Sequence, residues 1–263
     1  TLGAFMKYPK ESLPKKPTQK ICDKKYGFFQ SDKTFFEEVA SELGLISNKS
    51  GNDIGFERHP LAYLVEAADD ICYTIIDFED GINLGWISEE YALEYLIKLV
   101  KNGIDTKKYN ELITKEDRIS YLRALAIGSL INDAVAVFME NEKSILAGDF
   151  PFALMDKSQY KAQMNDIIQI SIKNVYQSKE VIQKEVMGYK IINSLLDGFC
   201  TAYNKKVNGT ASNYDELLLK LLPERFQFQK ESLYDRLLHI CHFVSLLTDG
   251  KALELYKTIH ANK

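Results

Sequence analysis

Cysteine is scarce and irregularly placed in this chain of 263 residues: Cys22, Cys72, Cys200 and Cys241 form no CxxC pair. That spacing argues against a disulfide framework and against a cysteine-based zinc site, and it suits reduced thiols in a cytoplasm. Histidine is as rare, with His59, His239, His242 and His260 and no His-Asp pair. Glycine-rich phosphate loops, nucleophile elbows and internal repeats are missing. No uninterrupted apolar run approaches the eighteen or so residues of a membrane span, and "TLGAFMKYPKESLPKK" lacks the basic-then-apolar order of a secretion signal. The net charge of −4 predicts no general attraction to nucleic acid or to membrane surfaces. A cytoplasmic protein away from the membrane is the resulting expectation.

What is present is ordinary globular material, 46% hydrophobic and 27% charged. Lys7, Lys10, Lys15, Lys16, Lys20, Lys24 and Lys25 face only Glu11 and Asp23, so a basic loop precedes a slightly acidic body. Pro9, Pro14 and Pro17 exclude a continuous helix there. Afterwards apolar residues return every three or four positions, which predicts an all-α protein. Pro60 marks one helix start and Gly81 its expected end. From Asp117 to Glu140 the pattern is apolar enough for the interior of a bundle, and Met164 to Asn204 reads as two helices parted near 176–179. A boundary near 143–158 separates residues 1–143, which carry the site, from a helical region at 144–263.

The stretch "YLVEAADDICYTIIDFEDG" places Glu66, Asp69, Tyr73, Asp70, Asp77 and Asp80 within about 100° of one another on a helical wheel. Leu61, Leu64, Ala68, Ile71, Cys72 and Ile75 take the far side, and Glu79 alone breaks the segregation. Clustered carboxylates repel, by a few tenths of a kcal/mol per i,i+4 pair, so a cation is their natural partner. A solvated acidic face is the alternative, although the flanks are too apolar for a helix lying freely in water. His239 and His242 stand one turn apart in apolar surroundings and read as packed core. Arg118 and Arg123 suit either phosphate or a structural partner.

Arg58 to Gly81 closely resembles the signature segment of bacterial dGTP triphosphohydrolases, members of the HD metal-dependent phosphohydrolase superfamily. "FMKYP" (Phe5 to Pro9), "KYGFF" (Lys25 to Phe29) and "YLRALAIGSLI" (Tyr121 to Ile131) resemble further segments in the same order. The resemblance implies part of an HD-like helical bundle with additional C-terminal helices. It implies hydrolysis of a dNTP, dGTP foremost, to deoxynucleoside and triphosphate with Mg²⁺, Mn²⁺ or another transition metal. Asp69 becomes the last ligand of an H…HD…D metal site, with Asp70 beside it. Tyr73 lies against sugar and phosphate, Asp77 accepts from the 3′-hydroxyl, and Lys7, Tyr8 and Lys25 approach the triphosphate. No catalytic acid is assigned. The H…HD ligands have no counterpart in this sequence, so the resemblance implies the C-terminal portion of a longer protein. A homo-oligomer, with a hexamer among the assemblies implied, and nucleotide or single-stranded DNA effectors complete the expectations. A non-catalytic regulatory or oligomer-forming module that keeps part of a nucleotide pocket is the competing reading.

Overall fold

A computed structural model of the chain describes residues 1–12, 21–48, 54–100, 103–227 and 232–260. Pro14, Pro17, Lys15, Lys16 and Lys20 of the basic loop lie outside the described residues. The fold is all-α: among the described residues the β-pairing is confined to the isolated bridges Lys10 to Gly55, Glu11 to Phe28 and Ser47 to Phe56.

Two compact units follow one another, Thr1–Ser178 and Lys179–Lys263. The first contains α1 (Leu2–Phe5), α2 (Lys33–Glu42), α3 (Pro60–Asn83), α4 (Glu89–Val100), α5 (Thr106–Glu111), α6 (Lys115–Glu140), α7 (Glu142–Leu146) and α8 (Lys161–Ser171). A π-helical turn, Ile172–Tyr176, extends α8. The second contains α9 (Lys179–Val207), α10 (Asn213–Leu219), α11 (Leu233–Ser245) and α12 (Asp249–His260). The boundary expected near 143 therefore does not coincide with the division between these units. Ile145, Phe150, Leu154, Met164, Ile167 and Val175 all sink into the core built by α3, α4 and α6, which holds the chain to the first unit as far as Ser178.

Helix α3 is the axis of that unit and packs on α6 and α8. It starts where the sequence predicts: Pro60 is the first helical residue and the His59 Nδ1 accepts from the Leu61 N–H at 3.1 Å. Its end differs. Gly81 is not a stop but an interior residue, because a Cβ there would lie 2.7 Å from both Ile87 and Val175; the helix runs on to Asn83. The buried side also differs from the wheel. Ala67, Ile71, Ile75, Phe78 and Ile82 face the core, whereas Leu61, Ala68 and Cys72 are exposed. Burial of Ile75 and Phe78, each 0% exposed, stabilises by about 1.5–3 kcal/mol apiece.

Helix α6, Lys115–Glu140, is long and apolar enough by composition to cross a membrane, although its apolar residues form no uninterrupted run of that length. Ile119, Leu122, Ala126 and Leu130 are instead fully buried in the unit's core.

A smaller cluster, Phe28, Phe36, Ala40, Ile54 and Phe56, closes the N-terminal segment, with Phe28 and Phe36 stacked at 4.5 Å. Beside it Cys22 is buried, its Sγ accepting from the Asn48 Nδ2 at 3.3 Å. Burial first, then the Glu57 carboxylate, pushes this thiol up from 9.0 to about 11. The folded chain thus holds the proton more tightly than the unfolded chain. The stabilisation is complete below pH 9.0 and is lost as pH rises toward about 11. Urea midpoints are expected to fall across that window, and more shallowly in Cys22→Ala; equal slopes would remove Cys22 from the account.

Candidate functional site

Two of the carboxylates in the acidic stretch are structural. Glu66 is buried and accepts from the Arg58 Nη1 at 2.5 Å and from the Lys7 Nζ at 3.1 Å. Glu79, which broke the segregation, accepts from the Arg123 Nη1 at 2.6 Å and from the Ser120 Oγ at 3.5 Å, fastening α3 to α6. Arg123 is thereby committed to a carboxylate. Arg118 is committed to a carbonyl, its Nε donating to the Leu112 oxygen at 3.0 Å.

Asp69, Tyr73 and Asp80 stay exposed, and Asp70 and Asp77 are half-buried. The Asp70 carboxyl is raised above the usual range by burial, against the pull of Lys7 and with help from Glu66, Asp69 and Asp156. One turn on, the Tyr73 ring stacks on Tyr176 at 5.9 Å with 9° between the planes. The Tyr176 hydroxyl donates to the Asp77 carboxylate. Burial and that hydrogen bond push the Tyr176 phenol well up. The sequence reading missed Tyr176; its only mark is a position in the break between two helices, and the π-helical turn that aims it at α3 is a tertiary feature. Asp70, Tyr73 and Thr74 also border a cavity of about 330 Å³, faced by Asp156, Lys161 and Asn165.

At the other end of α3 the N-terminal segment gathers cations around one phenol. The Tyr8 ring centroid lies 5.4 Å from the Arg58 Cζ, 5.8 Å from the Lys7 Nζ and 6.0 Å from the Lys25 Nζ. Gly27 makes this possible, because any Cβ there would fall 1.8 Å from the Tyr8 carbonyl oxygen. The glycine of "KYGFF" is a close-approach residue that draws Lys25 to Tyr8. Burial opposes the charge on Lys7, but Glu66 and then Asp70 outweigh it and raise the amine above its ordinary value.

Of the expected site residues, Lys7, Tyr8 and Lys25 thus come together, and Tyr73 and Asp77 come together through Tyr176. Asp69 stands apart, with no group of three His, Cys, Asp or Glu able to hold a metal among the described residues. His239 and His242 are not the packed core residues expected. Ile240 and Phe243 take the buried positions of α11, which leaves His242 exposed against the Phe226 ring at 5.4 Å.

No family model matches the chain. A deoxyguanosinetriphosphate triphosphohydrolase-like protein from Synechocystis is 33% identical over 98% of the chain, and one from Listeria monocytogenes is 31% identical over 99%. The chain belongs to the dGTP triphosphohydrolase-like family. A deoxyguanosinetriphosphate triphosphohydrolase from Yersinia pestis is 29% identical over 74% of the chain. The chain spans 58% of the length of the Synechocystis protein and 59% of the Listeria protein. Membership in the dGTP triphosphohydrolase-like family raises the question of a metal. The described residues do not fit one by themselves, since Asp69 supplies a single exposed carboxylate.

Proposed function

We propose that the protein to which this chain belongs hydrolyses a deoxynucleoside triphosphate, dGTP foremost, to deoxynucleoside and triphosphate, with a divalent metal such as Mg²⁺ or Mn²⁺. This chain supplies the phosphate- and sugar-facing wall. The carrying observation is that one helix, α3, is met by three cations around Tyr8 near one end and by the Tyr73–Tyr176–Asp77 group farther along. Glu66 and Asp77 stand about 16 Å apart along the helix at about 1.5 Å per residue, an extended span that suits a chain of phosphates ending in a sugar.

Each end has a defined task. Lys7 and Lys25 present point charges to phosphate oxygens, and Lys7 stays protonated because Glu66 and Asp70 hold its charge. Asp77 already accepts from one hydroxyl, that of Tyr176, and a sugar hydroxyl is the ligand group that would share or replace it. The parallel Tyr73 and Tyr176 rings bound the sugar and limit where it sits. Metal ligation reaches the described residues only through Asp69, and no step is derived through it.

A second reading, a non-catalytic helical module that keeps part of the pocket, draws on the lack of a three-ligand metal group among the described residues. Assay of the full-length gene product with each dNTP, in Mg²⁺ and in Mn²⁺, separates the two. Release of intact triphosphate supports the first reading, and nucleotide binding without turnover supports the second. Asp77→Ala is expected to lower kcat/KM by about 10- to 100-fold, since a hydrogen bond to a charged group is worth about 1.5–3 kcal/mol. Wild-type kcat/KM in that variant would detach Asp77 from the sugar.

A further inference from the structure

Cys200 and Cys241 lie on different helices of the second unit, the first half-buried on α9 and the second exposed on α11. These helices pack on one another and run in opposite directions. Gly188 of α9 and Gly250 of α12, just past the end of α11, line one cavity of about 700 Å³, whereas farther along α9 the Phe199 ring meets Phe243 of α11 edge-on at 5.4 Å. Leu196, one turn before Cys200, shares that cavity with Cys241 and with Val244, one turn after Cys241. In an antiparallel pair the next turn of α9 meets the preceding turn of α11, which brings Cys200 to Cys241. The electrostatics agree. Burial first, then Cys241, holds the Cys200 thiol above its ordinary range, and in salt one charge is felt by another only within about 10 Å.

We propose that Cys200 and Cys241 form a modification site whose co-substrate is a small hydroperoxide and whose product is a disulfide within the chain, joining α9 to α11. Cys241 reacts first, because it is exposed and lines the cavity, while Cys200 packs against the cluster around Phe199 and Phe243. The Cys241 sulfur attacks the peroxide: an S–O bond forms, the O–O bond breaks, and an alcohol or water leaves, with sulfenic acid on Cys241. Cys200 then attacks that sulfur. The S–S bond forms, the S–O bond breaks, and the departing hydroxide takes the Cys200 proton as water. The two thiols are oxidised by two electrons and the peroxide is reduced by the same two. No other thiol of the second unit competes, since Cys22 and Cys72 belong to the first. The inference is independent of the reaction proposed above.

The test uses the whole chain with Cys72→Ser, which removes the other exposed thiol and leaves three. After hydrogen peroxide, thiol titration of the denatured chain should fall from three to one, with Cys22 the survivor, and dithiothreitol should restore all three. Peptide mapping without reductant should then show Cys200 joined to Cys241 in a monomeric chain. With Cys200→Ser added, dimedone should trap sulfenic acid on Cys241; with Cys241→Ser added instead, Cys200 should stay reduced. Three thiols surviving peroxide, a sulfenic acid that persists on Cys241 while Cys200 is present, or a disulfide between two chains would each overturn the proposal. Equal oxidation of Cys200 in the Cys241→Ser variant would do the same.

Discussion

Arg58→Met lowers the unfolding free energy by about 3–5 kcal/mol, the usual cost of stripping one member from a buried ion pair. The Arg58 side chain is 0% exposed and that of Glu66 7%, so neither charge has water to fall back on. The guanidinium spends its donors on three parts of the chain. Its Nε donates to the Lys7 oxygen at 2.7 Å, Nη2 to the Ile21 oxygen at 3.1 Å and Nη1 to Glu66 at 2.5 Å. Its Cζ lies 5.4 Å from the centroids of both Tyr8 and Tyr63. The planar fork is what makes these contacts compatible, and Arg58→Lys, which keeps the charge and loses the fork, should also destabilise. Urea unfolding monitored by circular dichroism decides the matter. A loss below about 1 kcal/mol for Arg58→Met would mean that Glu66 regains solvent or that Lys7 alone satisfies it. Because Arg58 positions Lys7 and Tyr8, its loss also opens the cationic cluster.

Asp69→Ala has the opposite profile. Asp69 lies on the exposed side of α3, so its removal should leave stability within about 0.5 kcal/mol of wild type. Triphosphate release by the full-length gene product is expected to vanish, as the proposal makes this carboxylate the chain's contribution to the metal. The pairing with Glu66, three residues earlier on the same helix, is informative: Glu66→Ala should unfold before it inactivates, and Asp69→Ala should inactivate without unfolding. Undiminished turnover in Asp69→Ala would refute its assignment. An unfolded Asp69→Ala chain would show instead a structural role that its exposure gives no reason to expect.

These contrasts mark how far the acidic stretch could be read in advance. The wheel correctly drew the residues of "EAADDICYTIID" to one helix, since i,i+4 geometry is local. It treated five carboxylates as one class and set only Glu79 apart, because spacing alone carries no information about what stands opposite. Glu66 and Glu79 were claimed by Arg58 and Arg123, the second from a helix 44 positions further along the chain. Tyr176 carries no local mark of its role because its partner Asp77 is 99 positions away, and because a π-helical turn aims it. Gly81 read as punctuation until Ile87 and Val175 were seen to crowd it.

Alone, the amino-acid order determined that this chain is helical, where α3 begins, that α6 lends a face to the core, though Ile131, Val135 and Met139 stay exposed, and which segments carry the family likeness, all of which depend on neighbours within a turn or two. Tertiary structure decided which carboxylates are spent on arginines, which aromatic faces Asp77, and that the first unit extends to Ser178. Those outcomes depend on contacts between residues far apart in the chain, where burial and desolvation, not local periodicity, set the energy.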